Sequence, residues 1–156
     1  MSLVSRLWRR RGVNKTQKIK NSKRTTIVFL VMVFISDLIL QRYFRSVGVG
    51  VANEGISFGL FPSMSGVVTV GIYLVFTAWF LVTSWKGNFR LGLWALALGG
   101  LGNLWPRLLM GSVWDYIRLP LLPFSFNLSD ALITGGTLSY LWSEIATSHA
   151  KSGSSQ

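Results

Sequence analysis

Four stretches of this chain are each apolar for about twenty residues, and this constrains the fold more than any other feature. They run roughly over 25–44, "TTIVFLVMVFISDLILQRYF"; 66–85, "GVVTVGIYLVFTAWFLVTSW"; 91–110, "LGLWALALGGLGNLWPRLLM"; and 128–146, "LSDALITGGTLSYLWSEIA". About 20 residues of helix cross the hydrocarbon core of a bilayer. Lipid offers no partner to an unpaired backbone group, so each stretch is expected to be helical. The expected fold class is an all-α membrane protein with four transmembrane helices. Half of all residues are hydrophobic and the mean hydropathy is +0.44, well above an ordinary soluble domain. The first stretch is too long for a cleaved leader and no small-x-small site follows it. Pro106 falls inside the third stretch, and loosening of the helix is expected there.

The charges orient the spans. Nine of the sixteen basic residues lie between Arg6 and Arg24, beside the first span. Four spans place both termini on one side. That side then receives twelve basic residues, counting Lys86, Arg90 and Lys151. The other receives four: Arg42, Arg45, Arg107 and Arg118. The termini are therefore expected in the cytoplasm. Residues 1–24 read as a basic cytoplasmic arm, 25–146 as the four-span domain and 147–156 as a polar cytoplasmic tail. A basic arm flanking an apolar span suits an anionic leaflet. Nucleic acid is disfavoured, since only Trp8 interleaves with the basic run.

The same composition narrows the chemistry. There is no cysteine, and the one histidine, His149, sits in the tail. Thiol catalysis, a histidine triad and a histidine-ligated metal are disfavoured, and no cofactor is expected. Four of the five acids (Asp37, Glu54, Asp115 and Asp130) gather at the outer end of the bundle. Asp130 in "NLSD" has a plain reading in helix capping. Asp37, within a span, is costly there; it has a functional reading and a structural one, an Asp–Arg pair. Gly99, Gly100 and Gly102 read as close helix packing. Asn103 and Arg107, four apart, share a helix face. Alternating Val47, Val49 and Val51 hint at a short strand. Asp115, in a loop, and Asp130, at a helix start, can converge. Two close carboxyls share a proton, and around one water they are the machinery of an aspartic protease.

Five blocks, in order, resemble the signal peptidase II family: Asp37, "NEGISF" (53–58), "GGLGNLWPRL" (99–108), "GSVWDYI" (111–117) and "FNLSDALITGG" (126–136). The resemblance covers about residues 30–146. It implies an intramembrane aspartyl endopeptidase of the bacterial inner membrane that cuts prolipoprotein signal peptides just before a diacylglyceryl-modified cysteine. It implies Asp115 and Asp130 as the catalytic pair. Asn53, Gly55, Asn103, Arg107 and Asn127 would line the site and hold substrate, with Asp37 as a supporting buried acid. The outer loops would form a small β-like extracytoplasmic cradle. The partners would be lipid-modified prolipoprotein precursors and membrane lipids, and the chain would act as a monomer. Several positions depart from the family pattern. Pro106 replaces an aspartate, Ser129 an alanine, Leu38 a glutamine and Gln41 a lysine, and the basic arm is long. Two other readings stand beside this one. One is a non-catalytic relative that binds lipidated peptides or lipids. The other is a small membrane carrier, against which the chain shows no internal repeat.

Overall fold

The computed structural model of the protein describes residues 3–54, 66–85 and 91–152. Four helices dominate: α1 (Leu3–Ser46), α2 (Gly66–Trp85), α3 (Leu91–Met110) and α4 (Leu128–Ser152). Four short strands join them: β1 (Val51–Asn53), β2 (Val113–Asp115), β3 (Ile117–Arg118) and β4 (Ser125–Phe126). Most of the "NEGISF" block, Gly55 included, lies outside the described residues, as do Lys86 and Arg90.

Helix α1 carries the basic arm straight into the first apolar stretch without a break. Its portion Lys20–Ser46 contains an 18-residue stretch of mean hydropathy 1.9 and is, among the described residues, the one helix long and apolar enough to cross a membrane by these measures. The helix is inverted relative to one on a soluble protein. Val28, Phe29, Met32, Ile35 and Ile39 are exposed, whereas Asp37 and Gln41 are buried with Leu30. Leu30, Asp37 and Gln41 fall at i, i+7 and i+11, one helical stripe.

Helices α3 and α4 approach so closely that side chains are excluded between them. A Cβ on Gly92 would lie 2.7 Å from the Gly136 carbonyl oxygen, and one on Gly99 would lie 2.6 Å from that of Ser129. The packing role expected of the 99–102 glycines is thus seen at Gly99 and Gly102, both of which face Ser129. Helix α2 leans on α3 through Tyr73 near Gly100 and an edge-to-face contact of Phe80 with Trp94, and it touches α4 through Trp79 and Tyr140.

Helix α3 does not loosen at Pro106 but runs unbroken to Met110. Proline has no N–H to give to the carbonyl four residues back, which is that of Gly102. The side chain of Gln41 supplies a donor there, Nε2 to the Gly102 oxygen at 3.4 Å. Pro106 itself is fully buried.

The strand expected around Val47, Val49 and Val51 starts only at Val51. Gly48 (φ 70°) and Gly50 (φ 113°) turn the chain after α1 in a region that favours glycine. A Cβ on Gly50 would also meet the Asp115 carbonyl oxygen at 2.6 Å. Strand β1 then pairs antiparallel with β2, Val51 opposite Asp115 and Asn53 opposite Val113. Strands β3 and β4 pair antiparallel, Ile117 opposite Phe126.

Candidate active site

Among the described residues, nine polar or acidic residues are buried, and they cluster where the ends of α1, α3 and α4 meet β1 and β2. Local structure explains the placement of each acid. Asn127 caps α4: its Oδ1 accepts from the Asp130 amide at 3.0 Å, and Asp130 Oδ2 accepts in return from the Asn127 amide at 3.3 Å. This reciprocal box satisfies free donors at the helix start. The plain capping reading of "NLSD" therefore holds, with Asn127 as the cap. Capping occupies only one oxygen of Asp130. The other accepts from Asn103 Nδ2 at 2.7 Å.

Asp115 arrives from a different segment. It ends β2, and antiparallel pairing brings Asn53 of β1 close enough to donate from Nδ2 to Asp115 Oδ2 at 2.8 Å. Asn127 Nδ2 donates to Asp115 Oδ1 at 2.8 Å and to Asn103 Oδ1 at 3.1 Å. One asparagine thus joins both acids: its amide side chain holds Asp115 while its backbone and Oδ1 engage Asp130. Arg107, half-buried one turn after Asn103, donates Nη1 to the Asn103 carbonyl at 2.9 Å. Its charge acts on both carboxyls. Burial pushes the Asp115 carboxyl above the usual carboxylate range, against hydrogen bonds from Asn53 and Asn127 and the charge of Arg107.

Asp37 belongs to a second cluster. Its Oδ1 accepts from the Tyr116 hydroxyl at 2.7 Å and the Leu128 amide at 3.0 Å. Its Oδ2 accepts from Gln41 Nε2 at 2.7 Å and the Ser129 hydroxyl at 2.5 Å. These four donors are neutral, so no Asp–Arg pair of the kind considered above is among them. Tyr116 follows Asp115 and Ser129 precedes Asp130, so Asp37 grips the neighbours of both acids. Burial beside Asp37 pushes the Tyr116 phenol well above its usual range, which keeps it a donor. Gln41 also accepts from the Trp114 amide through Oε1 at 3.3 Å.

Further contacts fasten β2 to the end of α1. Arg45 donates to the Ser112 hydroxyl and lies over the Trp114 ring, 5.3 Å from its centroid. Trp114 Nε1 donates to the Val49 carbonyl at 2.8 Å, and Phe44 stacks on Tyr116 at 5.0 Å.

Asp37, Asn53, Asn103, Arg107, Asp115, Asn127 and Asp130 are thus brought together. Sequence reasoning did not single out Tyr116 and assigned no role to Gln41 or Ser129. The i, i+4 spacing of Asp37 and Gln41, and the adjacency of Tyr116 and Ser129 to the two acids, were the available signals. Among the described residues, no group of three or more His, Cys, Asp or Glu side chains converges to hold a metal.

A family profile described as "Signal peptidase (SPase) II" matches residues 38–146. A lipoprotein signal peptidase of Anaplasma marginale is 31% identical, over 83% of this chain and 89% of its own length. One from Desulfitobacterium hafniense is 34% identical, over 55% of this chain; the match spans 60% of that relative's length. A solved bacterial membrane enzyme superposes with a TM-score of 0.72 at 21% identity, covering 82% of this chain and 92% of its own. At that identity the likeness concerns the fold.

Proposed function

Because the chain belongs to the signal peptidase II family, we propose that it is an intramembrane aspartyl endopeptidase removing signal peptides from prolipoproteins just before the diacylglyceryl-modified cysteine. One observation carries this reading: Asp115 and Asp130, from separate segments, are buried and joined through Asn127. Two carboxyls so coupled share a proton. The ionised member takes a proton from water as the water oxygen attacks the scissile carbonyl carbon, and the protonated member donates to the carbonyl oxygen. Collapse of the tetrahedral intermediate breaks the C–N bond. The proton taken from water passes to the leaving nitrogen of the cysteine, and the carbonyl oxygen returns its proton to the pair. Asn53, Asn103 and Asn127 hold the carboxyls. Arg107 positions the pair or the substrate, since a guanidinium does not serve as a base near neutral pH. Gly55 stays assigned to the site by family position.

The membrane arrangement belongs to the same reading. At about 1.5 Å per residue, the 20-residue helices α2 and α3 reach about 30 Å, the thickness of the hydrocarbon core. Residues 25–146 form the four-span unit in the bacterial inner membrane, with arm and tail in the cytoplasm and the paired strands at the outer surface as a small cradle. The tip between β3 and β4 supports this placement: Leu121 is 96% exposed there, flanked by exposed Leu119, as suits a loop seated at the lipid interface. The chain works as a monomer on lipid-modified precursors. Reporter fusions after residues 60 and 120 should read as external and one after 150 as cytoplasmic; an internal reading at 120 would overturn the topology.

The activity test is gel-shift cleavage of a precursor already carrying diacylglycerol on its cysteine. Asp115→Asn and Asp130→Asn should each abolish cleavage, and the double variant should cost little more, since residues acting as a unit are non-additive. Cleavage at the parental rate by either single variant would overturn the aspartyl mechanism.

A further inference from the structure

We infer that Gln41 is a positioning residue that closes the gap left by Pro106 in α3 and, through Trp114, sets the strand that presents Asp115. Every strong hydrogen-bonding group of its side chain is used. Nε2 donates to Asp37 Oδ2 at 2.7 Å and to the Gly102 carbonyl at 3.4 Å, while Oε1 accepts from the Trp114 amide at 3.3 Å. The residue is 1% exposed, so no water competes for these partners. The Gly102 oxygen is the acceptor that an amide at position 106 would have used. An unsatisfied carbonyl in an apolar surrounding is costly, and the side-chain amide is placed to offset that cost.

The chemistry of the amide explains why glutamine suits this position. Lysine has donors and no acceptor, whereas glutamine has both. A lysine at 41 still reaches Asp37 and the Gly102 carbonyl but gives the Trp114 amide nothing to bond. That amide precedes Asp115 by one residue, so losing its acceptor loosens the strand where the carboxyl is set. Two of the positions that depart from the family pattern, 41 and 106, therefore meet at one carbonyl. This inference rests on the activity proposed above only for its kinetic part.

The test is a double-mutant cycle on the full chain in detergent, read by thermal unfolding and by cleavage of a diacylglyceryl-modified precursor. Gln41→Met keeps the volume and removes all three bonds; Pro106→Ala restores the amide. In the parental chain Gln41→Met should lower kcat by about tenfold, with KM changed less than about twofold. In the Pro106→Ala background the fall in Tm should shrink, because the restored amide bonds the Gly102 carbonyl, whereas the kcat loss, carried by the Trp114 contact, should persist. Additive effects on Tm would overturn the pairing, whatever the catalytic result. Gln41→Lys provides a folded second variant. It should unfold near the parental temperature yet lose kcat, and a parental kcat would remove the Trp114 contact from the positioning role. If Asp115→Asn still cleaves, the activity reading falls, while the Tm cycle still decides the pairing.

Discussion

Two acidic clusters lie side by side in this molecule, and they use their carboxyls differently. Asp37 accepts four hydrogen bonds, two on each oxygen. A carboxylate offers about four lone-pair sites, so Asp37 is saturated. Asp115 and Asp130 each accept two, one on each oxygen. Each therefore keeps acceptor capacity for a water or a substrate group. The first cluster has the character of a fastening; the second keeps the open acceptor sites that the proposed reaction requires. Their linkage is covalent as well as spatial, since Tyr116 and Ser129 are chain neighbours of Asp115 and Asp130.

The sharpest way to break this comparison is to substitute one acid in each cluster. Asp130→Asn should lower cleavage by about 10⁴-fold or more while the protein still folds, as expected for a catalytic group. Asp37→Ala should act first on stability. It strands the Tyr116 and Ser129 hydroxyls, the Gln41 amide and the Leu128 N–H, and should cost roughly 3–5 kcal/mol, seen as a large fall in Tm or loss of folded protein. A well-folded, inactive Asp37→Ala protein would erase the distinction drawn here.

Arg107→Ala sharpens the working side. It should cost about 10²-fold in cleavage with insertion and folding retained, because it removes a charge that acts on both carboxyls and no proton donor or acceptor of the reaction. Full activity would remove Arg107 from the site.

Proton linkage gives a smaller effect with a definite sign. Burial raises the Asp115 carboxyl above its ordinary value. As pH rises past about 4, the unfolded chain releases this proton first and the folded protein retains it. The folded state then binds more protons, so stability falls with rising pH until the folded group also ionises, and is flat above that. Asp115→Asn should flatten this decline. Its Tm relative to the parent should be higher at pH 8 than at pH 4, as measured by unfolding across that range. The reverse order would mean that Asp115 is better stabilised ionised than protonated. The smallest effect is expected at Tyr116→Phe, about 1 kcal/mol, for one bond among the four on Asp37.

Much of the frame was legible in the residues. Long apolar runs in α1, α2 and α3 mark helices because backbone groups in an apolar medium have no other way to be satisfied. The closely spaced glycines of α3 marked a helix packed tightly on a neighbour. The family blocks carried the acids and asparagines of the site. Less legible was the distribution of roles within "NLSD". Local propensity favours any of Asn127, Ser129 and Asp130 near a helix start, and only the geometry makes Asn127 the cap, Ser129 a donor to Asp37 and Asp130 a shared acceptor.

The sequence by itself determined that the chain is mostly helical, that its carboxyls are few and informative, and that Asp115 and Asp130 fall in segments able to meet. These follow from local hydropathy, from composition and from motif order, which need no knowledge of who touches whom. Only the tertiary structure decided that α3 passes Pro106 unbroken, that Asp37 is held by neutral donors in place of an arginine, and that Gln41 serves three partners at once. The reason is physical. Proline's missing bond and three of the four donors to the buried Asp37 carboxyl involve groups 61 to 92 residues apart in the chain, and only packing brings such groups within hydrogen-bond reach.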